Sequence, residues 1–562
     1  MNNILKIQVI FNDLENLSKL KNNQLISILV SDYNVPIIFC QQDEIVAINE
    51  QRISEYYQNG YFFFQNKEGN TCLAINRISN VLQQKIESLG NIDCYLVMYE
   101  DFNQILQSSF AHFNKKQAVQ YLSDNTDHLS ARNIDYIKAL CGFLVIFFMT
   151  IISSIYCFNI INNLLYIVQN VLKLVLFQQG LSRKVSSYAA IELEDLPIYS
   201  VLIPLYKEEL KVNSILAAMA NLNYPKHKLD VKLILEADDL VTIRSLVYLT
   251  IPDYIQIIKV PYSLPRTKPK ALNYAMSFVY GQYLTIYDAE DEPDPDQLIK
   301  AIAAFRQLPQ EYACVQAKLN FYNAKENLLT RLFSIEYSIW FNYVLEGLSR
   351  LNLPITLGGT SNHFKVALLN KVGRWDAYNV TEDAELGVRL HFAGYKVFMI
   401  DSTTLEEAPN KLTTWLNQRT RWIKGYLQTV CVFMKTKQHR DVNTVAMSIV
   451  YILLGLSTYS FLLLPWLLLV IWYCNVDYYI QYLWLTNSFC AISYMYAMAY
   501  IIISDDNSPT RIRSILDLLA FLIWPMYFIL HTLASYKAIW ELVISPFKWN
   551  KTPHGNIDLW KI

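Results

Sequence analysis

The sequence predicts an α/β protein in which a doubly wound, Rossmann-like sheet is joined to transmembrane α-helices and to a small N-terminal domain. Three observations support this fold class. Hydrophobic residues make up 53% of the 562 residues and charged residues only 17%, a balance too apolar for an ordinary soluble protein. Long uncharged runs lie on both sides of a middle region. Within that region, short apolar runs rich in β-branched residues alternate with helical patterns.

The first part of the chain, residues 1–133, is mixed in polarity and has no early apolar core. We therefore expect no signal peptide and a cytoplasmic location. Apolar runs at 26–30, 35–39, 61–64 and 95–99 predict a small α/β or α+β domain. It is weakly similar to the N-terminal domains of type II secretion ATPases but lacks their cyclic di-GMP-binding pattern. A regulatory or docking role with a partner and a folded appendage without ligand both stay open.

Two regions are apolar enough to cross a membrane. Residues 139–177 predict one or two transmembrane or interfacial helices, and residues 442–544 predict about four transmembrane helices, with a break near Pro465. The tail, residues 545–562, carries lysines and tryptophans typical of the cytoplasmic interface. Arg183 and Lys184 favour a cytoplasmic exit of the chain before the middle region, residues 197–437.

The middle region contains four short, mainly apolar runs, at 200–205, 231–235, 255–260 and 283–287. Such runs are typical of parallel strands that are buried on both faces. In a doubly wound sheet, ligands bind outside the carboxyl ends of the strands. The sequence therefore predicts a binding crevice at the ends of these runs.

Carboxylates follow three of these runs directly. One such cluster alone is more often a solvated loop, but three at equivalent strand ends would meet in one crevice. Because clustered carboxylates repel each other without a cation, we expect a divalent metal, Mg²⁺ or Mn²⁺, with a phosphate-bearing ligand. Lys268 and Lys270 could add charge for the phosphates, although two exposed loop lysines would give the same pattern. The clusters are Glu208 and Glu209 after the first run, Glu236, Asp238 and Asp239 after the second, and Asp288, Glu290, Asp291 and Glu292 after the fourth.

Six segments follow one another in a fixed order through the middle region: residues 201–208, Asp238-Asp239 (or Glu236), Lys270 with Asn273, Asp288-Ala289-Glu290, Thr381-Glu382-Asp383, and Gln418-Arg419-Thr420-Arg421-Trp422. In this order they resemble the motifs of processive family 2 glycosyltransferases, such as cellulose, hyaluronan and curdlan synthases. The resemblance implies a GT-A fold and inverting transfer of a sugar from a nucleotide-sugar, with a UDP-sugar as the expected donor. Glu290 departs from the Asp-x-Asp pattern of the family, and Asp291 could substitute for it.

The resemblance also implies a role for each matching residue. Asp383 would be the general base that takes the proton of the acceptor hydroxyl, and it could at the same time cap the helix that follows. Arg421 could bind the diphosphate bidentately, and Trp422 offers a flat face to the acceptor sugar. The implied sets are Glu208, Glu236, Asp238, Asp239, Lys270, Asn273 and Asp288 for the donor, Thr381, Glu382, Gln418, Arg421 and Trp422 for the acceptor and diphosphate, and Asp288 and Glu290 for the metal.

The expected function is thus a membrane glycosyltransferase that extends a polysaccharide at the inner membrane of a bacterium, with the catalytic domain in the cytoplasm. The expected partners are a nucleotide-sugar, a glycan or lipid acceptor and the bilayer. With a net charge of −1, no basic field recruits nucleic acid. Two alternatives stay open: a non-processive enzyme that glycosylates a lipid, and an inactive membrane receptor or secretion component.

Overall fold

The computed structural model of the chain describes residues 37–38, 56, 59–65, 70–76, 93–97, 99–126, 130–153, 155–181, 191–435, 444–473, 495–497, 499–501 and 515–549. Several predictions concern residues outside these ranges. They are the apolar run at 26–30, the pair Arg183 and Lys184, residues 474–494 and 502–514 of the predicted membrane region 442–544, and the tail beyond residue 549.

The N-terminal part forms a small mixed sheet followed by two helices. Its strands are β1 (Ile37–Ile38), β2 (Tyr61–Gln65), β3 (Thr71–Ile75) and β4 (Asp93–Val97), in the order β1-β4-β3-β2. Helices α1 (Tyr99–Ser109) and α2 (Ala111–Asn125) follow, and they continue the chain towards the first apolar helix. Buried aromatic residues such as Phe62 and Phe102 join the sheet to α1.

The centre of the molecule is an eight-stranded mixed sheet in the order β7-β6-β5-β8-β11-β10-β12-β9. The four predicted strands are confirmed as a parallel group: β5 (Tyr199–Leu205), β6 (Leu229–Glu236), β7 (Ile255–Val260) and β8 (Tyr283–Ile286). All residues of β6 are buried, as expected for a strand covered on both faces.

The other half of the sheet adds strands that the apolar runs do not predict. They are β9 (Glu292–Pro293), β10 (Tyr312–Phe321), β11 (Asn362–Lys365) and β12 (Lys396–Glu406). The short strand β11 lies antiparallel between β8 and β10, whereas β10 and β12 are parallel. This mixed sheet with helices on its faces fits the expected GT-A class.

Helices of the central region connect and cover the strands: α5 (Val212–Asn221), α6 (Leu240–Val247), α7 (Lys268–Ala275), α8 (Gln297–Gln307), α9 (Leu328–Tyr337), α10 (Leu345–Arg350), α11 (Val366–Lys371), α12 (Glu382–Phe392) and α13 (Leu412–Lys435). A π-helical stretch, Ser338–Val344, joins α9 to α10.

The apolar helices are α3 (Tyr136–Ser153), α4 (Ile155–Leu181), α14 (Thr444–Val450), α15 (Ser457–Tyr473) and α16 (Ile515–Ile544). Among the described residues, three helical stretches are long and apolar enough to cross a membrane: Ile160–Leu181, Thr444–Leu463 and Ile515–Ile544. The predicted break at Pro465 is wrong, because α15 continues through this residue. Apolar helices tolerate proline when local adjustments satisfy the freed carbonyl groups. A π-helical stretch, Tyr451–Leu456, separates α14 from α15.

A buried ion pair joins α9 of the central region to the last apolar helix, α16. Arg331 Nε of α9 lies 2.6 Å from Asp517 Oδ1 of α16, and neither side chain is more than 9% exposed. Asp517→Ala should therefore lower the thermal midpoint of the detergent-solubilised protein, because a buried guanidinium without its partner costs about 3–5 kcal/mol. The double variant Arg331→Met/Asp517→Leu should recover most of the loss. An unchanged midpoint in the single variant would show that the pair does not hold α9 to α16.

Candidate active site

A cavity of about 850 Å³ opens at the carboxyl ends of β5, β6 and β8 and continues between the apolar helices. Ten of the predicted site residues line it: Glu208, Glu236, Asp288, Glu290, Thr381, Glu382, Asp383, Gln418, Arg421 and Trp422. The tertiary structure thus joins residues that are separated by more than two hundred positions in the chain. The cavity lies at the carboxyl ends of the strands, where the sequence predicts a binding crevice.

Lys268, the first residue of α7, connects the two halves of the acidic wall. Its ammonium lies 2.5 Å from Asp288 Oδ1 and donates to the carbonyl of Gly359 at 2.7 Å. Burial disfavours this ammonium, but the carboxylates of Asp288, Glu382 and Asp383 outweigh that effect and raise the pKa of Lys268. The side chain therefore stays charged between the strand-end carboxylates and those at the start of α12.

Asp383 lies in the first turn of α12, where its Oδ1 accepts the N–H of Ala384 at 2.8 Å. The cap position belongs to Thr381, so the prediction that Asp383 caps this helix is wrong. Burial raises the pKa of Asp383, and the same effect together with the charge of Asp383 raises the pKa of Glu382 to about 8. A Cβ on Gly359 would lie only 3.3 Å from Asp383 Oδ2, so glycine leaves room beside this carboxylate.

Helix α13 presents its basic and aromatic residues to the same cavity. The guanidinium of Arg421 lies 4.5 Å from the ring centre of Trp549, and its Nε is buried without a hydrogen-bond partner in the described structure. Trp422 packs against Tyr337 at a ring-centre distance of 6.0 Å and an interplanar angle of 29°. The guanidinium of Arg419 lies 4.7 Å from the Trp422 ring centre, so protein groups already contact this indole.

A buried charged cluster beside α13 was not predicted. Arg419 pairs with Glu336 of α9, which also accepts from the hydroxyl of Tyr527 on α16 at 2.9 Å. Burial disfavours the carboxylate, but Arg419 and His531 outweigh it and lower the pKa of Glu336 to about 2. The negative charge therefore persists at the level where the cavity enters the apolar helices.

Four predicted donor residues, all within the continuously described range 191–435, are absent from the cavity wall. Asp239 caps α6 and accepts the N–H of Lys207 at 2.6 Å, and Asp238 pairs with Arg266. Lys270 is fully buried, with its ammonium 2.8 Å from Glu236 Oε1. Asn273 bonds to the backbone of Trp375 and Ala118. These four side chains therefore bond to neighbouring protein groups. In the first turn of α7, Lys268 lines the cavity, whereas Lys270 does not.

The cavity wall also contains a carboxylate that the sequence analysis missed. Glu406 ends β12, and burial together with Asp291 and Glu290 raises its pKa well above the ordinary range. Its position repeats the pattern of carboxylates at strand ends, which was the available signal. The sequence does not mark β12 as such a strand, because its buried residues alternate with half-buried ones and do not form a continuous apolar run.

The acidic end of the cavity fits a divalent cation by its chemistry. Burial and Asp288 raise the pKa of Glu290 to about 8, and Asp291 Oδ1 is buried without a hydrogen-bond partner in the described structure. Carboxylate oxygen atoms, which repel each other when no cation is present, are among the ligands that Mg²⁺ and Mn²⁺ prefer. The described residues contain no preformed group of three or more His, Cys, Asp or Glu side chains that could hold a metal.

Comparisons with known proteins agree with this architecture. Residues 283–536 match the family model described as glycosyl transferase family group 2. The chain is 30% identical over 262 residues to the probable glycosyltransferase YdaM of Bacillus subtilis. This alignment covers 44% of this chain and 61% of the relative. It is also 30% identical over 238 residues to a probable glucomannan 4-beta-mannosyltransferase of Oryza sativa, covering 41% of this chain and 43% of the relative.

Among solved structures, the chain is similar to the mannosyltransferase PcManGT of Pyrobaculum calidifontis, which was solved with GDP-Man and Mn²⁺. The identity is 17%, the TM-score is 0.46, and the match covers 68% of this chain and 98% of that one. The chain spans 43–61% of the length of the two curated relatives named above. Over residues 283–536 the chain is therefore similar to glycosyltransferases of family group 2.

Proposed function

We propose that this protein transfers a sugar, with inversion, from a nucleotide-sugar to the end of a growing polysaccharide at the cytoplasmic face of a bacterial inner membrane. A UDP-sugar is the first donor to test. One observation carries the proposal: the ammonium of Lys268 bonds to Asp288 at the strand ends and to Gly359, which lies beside Asp383. Donor-side and acceptor-side carboxylates therefore belong to one reaction chamber.

The donor would lie with its diphosphate at the ends of β5, β6 and β8. Lys268 and Arg421 line the cavity there and would attract the phosphates, the second as a bidentate donor. Asp288 and Glu290 would hold the divalent metal, which would neutralise the charge of the departing diphosphate.

The acceptor hydroxyl would be deprotonated by Asp383. Inversion needs a base on the side of the sugar opposite the leaving diphosphate, and Asp383, in the first turn of α12, lines the same cavity as Asp288. Burial raises the pKa of Asp383, which makes the ionised carboxylate a stronger base than a solvated aspartate. The Gln418 and Trp422 side chains, from α13, line the chamber and would contact the acceptor.

The domain arrangement supports a membrane location. Side chains of the apolar helices α4, α15 and α16 also line the cavity, for example Phe177, Phe461 and Phe528. We propose that residues 139–177 and 442–544 form the membrane part, that residues 197–437 form the transferase domain below it, and that residues 545–562 lie at the cytoplasmic interface. Residues 1–133 would be the site of any regulatory partner.

The decisive experiment uses the full chain in lipid nanodiscs with Mn²⁺ and a panel of radiolabelled UDP- and GDP-sugars, with products sized by gel and by thin-layer chromatography. A product of high molecular weight from one donor would support the polysaccharide synthase. If no donor reacts and neither UDP nor GDP with Mn²⁺ raises the thermal midpoint, an inactive membrane receptor becomes the better description.

A lipid acceptor is the second candidate. It is favoured by the apolar and aromatic lining where the cavity passes between the helices that are able to cross a membrane. A single radioactive product that extracts into organic solvent would identify this reaction in the same experiment.

Replacing Asp288 tests the metal assignment. Asp288→Asn should weaken Mn²⁺-dependent nucleotide binding about 10–100-fold, because a neutral amide is a poorer ligand for a hard cation. Titration of the nucleotide with and without Mn²⁺, followed by the thermal midpoint, measures this change. Asp401→Asn on β12, a residue that does not line the cavity, is the matched control and should bind like the wild type. Wild-type affinity in Asp288→Asn would remove Asp288 from the metal site.

A further inference from the structure

The two helices that end the N-terminal region are part of the transferase core. On α1, the Gln107 side chain donates to the carbonyl of Ile257 at 3.2 Å and accepts the N–H of Lys259 at 3.4 Å. Both partners belong to β7, the edge strand of the central sheet. The amide thus satisfies backbone groups that the edge of a sheet otherwise leaves unpaired.

The second helix packs on the helix that carries Lys268. Asn273 of α7 donates to the carbonyl of Ala118 on α2 at 3.1 Å and to that of Trp375 at 2.8 Å. Asn273 is only 2% exposed. Loss of either bond would leave a buried polar group unsatisfied, so α2, α7 and the loop at Trp375 are held as one unit.

The same helix supports the loop that leads to α12. A Cβ on Gly373, which has φ of +92°, would lie 2.6 Å from Leu122 Cδ1, so α2 packs directly against this turn. The neighbouring Arg374 lies over the ring of Tyr121, 3.7 Å from its centre. Both contacts fix the start of the loop between α11 and α12.

A buried carboxylate makes the closest connection. Asp376 is 2% exposed and accepts from the hydroxyl of Ser130 at 2.7 Å and from the N–H of Ala131 at 2.6 Å. It also accepts the N–H of Tyr378 at 3.0 Å. Charge-assisted bonds of this kind are the stronger ones in proteins, so Asp376 joins residues 130–131 firmly to the loop.

Asp376 is connected through this loop to both Lys268 and Asp383. The next residue, Ala377, accepts through its carbonyl from the hydroxyl of Thr267 at 2.8 Å, directly before Lys268. Five residues further on, the loop reaches Glu382 and Asp383 at the start of α12. One segment therefore sets the places of the ammonium and of the general base.

We propose that α1, α2 and residues 130–136, here called the brace, position Lys268 and Asp383 for transfer, with Ser130 and Asp376 as positioning residues. This inference rests on the proposed function. The N-terminal region then acts on the reaction through the brace, since any ligand or partner that displaces α2 or Ser130 also displaces the catalytic loop. Neither residue lines the cavity, so each acts through Asp383 and Lys268.

The test compares Ser130→Ala with Ser130→Thr, which keeps the hydroxyl, in the full chain in nanodiscs. Ser123→Ala on the exposed face of α2 is the matched control, because its hydroxyl bonds only within the helix, to the carbonyl of Gln120. We expect Ser130→Ala to lower kcat about tenfold with the donor KM unchanged, because small displacements of reacting groups cost rate. Amide hydrogen exchange in residues 377–383 should become about tenfold faster. Ser130→Thr and Ser123→Ala should resemble the wild type.

Two results would overturn the inference. One is wild-type kcat and exchange in Ser130→Ala. The other is an equal loss of kcat, donor affinity and thermal midpoint, which would indicate a structural role alone. If the wild type transfers no sugar, the proposed function fails, while hydrogen exchange in residues 377–383 still decides whether Ser130 holds the loop.

Discussion

Asp383→Asn should reduce sugar transfer by about 10³-fold and leave metal-dependent nucleotide binding unchanged. The amide has the shape of the carboxylate but cannot take a proton from the acceptor hydroxyl. Because the folded protein raises the pKa of Asp383, its ionised form is disfavoured by folding, and the neutral amide should not destabilise the protein. Single-turnover transfer in nanodiscs and the nucleotide-induced rise of the thermal midpoint measure the two effects separately.

The control for this variant is Asp253→Asn, in the exposed turn before β7, which should transfer at the wild-type rate. Normal transfer by Asp383→Asn would exclude the general-base role. A joint loss of transfer and nucleotide binding would instead place Asp383 among the donor ligands.

Lys268→Met should have the second largest effect, lowering kcat/KM by about 10²–10³-fold, as expected for loss of one charged group that stabilises a developing anion. It should also change the pH dependence. The base works only when ionised, so transfer is lost as the pH falls through the pKa of Asp383. Lys268 lowers that pKa, and its removal should move the acid limb of the rate profile to higher pH. A pH–rate profile of kcat/KM measures the shift.

Lys259→Met, whose side chain is exposed on β7, is the control and should leave both the rate and the acid limb unchanged. An acid limb at the wild-type pH in Lys268→Met would mean that Lys268 does not act on the base. The rate loss alone could then come only from its contact with the donor phosphates.

The strands of the central sheet show how much of the fold can be predicted from the sequence. Short, mainly apolar runs that alternate with helical patterns are typical of parallel strands buried on both faces, so β5 to β8 and the carboxylates behind them were predictable. Strands β10 to β12 were not, because β12 alternates between buried and half-exposed residues and β11 is only four residues long. Their pairing depends on contacts between distant parts of the chain.

Side-chain direction was also beyond the sequence. Lys268 and Lys270 lie two positions apart on α7, and the helix turns one to the cavity and the other to Glu236 inside the core. Similarly, Glu208, Asp288 and Glu290 line the cavity, as their positions after the strands predict. Asp239 and Asn273 were predicted as donor residues in the same way, but their side chains bond to backbone groups nearby. A motif gives residue type and order, and only packing decides which face each side chain meets.

By itself the sequence determined the apolar helices, the parallel half of the sheet, and the set of acidic, basic and aromatic residues from which the chamber is built, because periodicity and composition are local properties of the chain. The tertiary structure decided which members of that set meet. It brought Lys268 to Asp288, buried Lys270 and Asn273, and set Ser130 against Asp376 across 246 positions, since long-range packing and the pairing of buried charges depend on the whole fold.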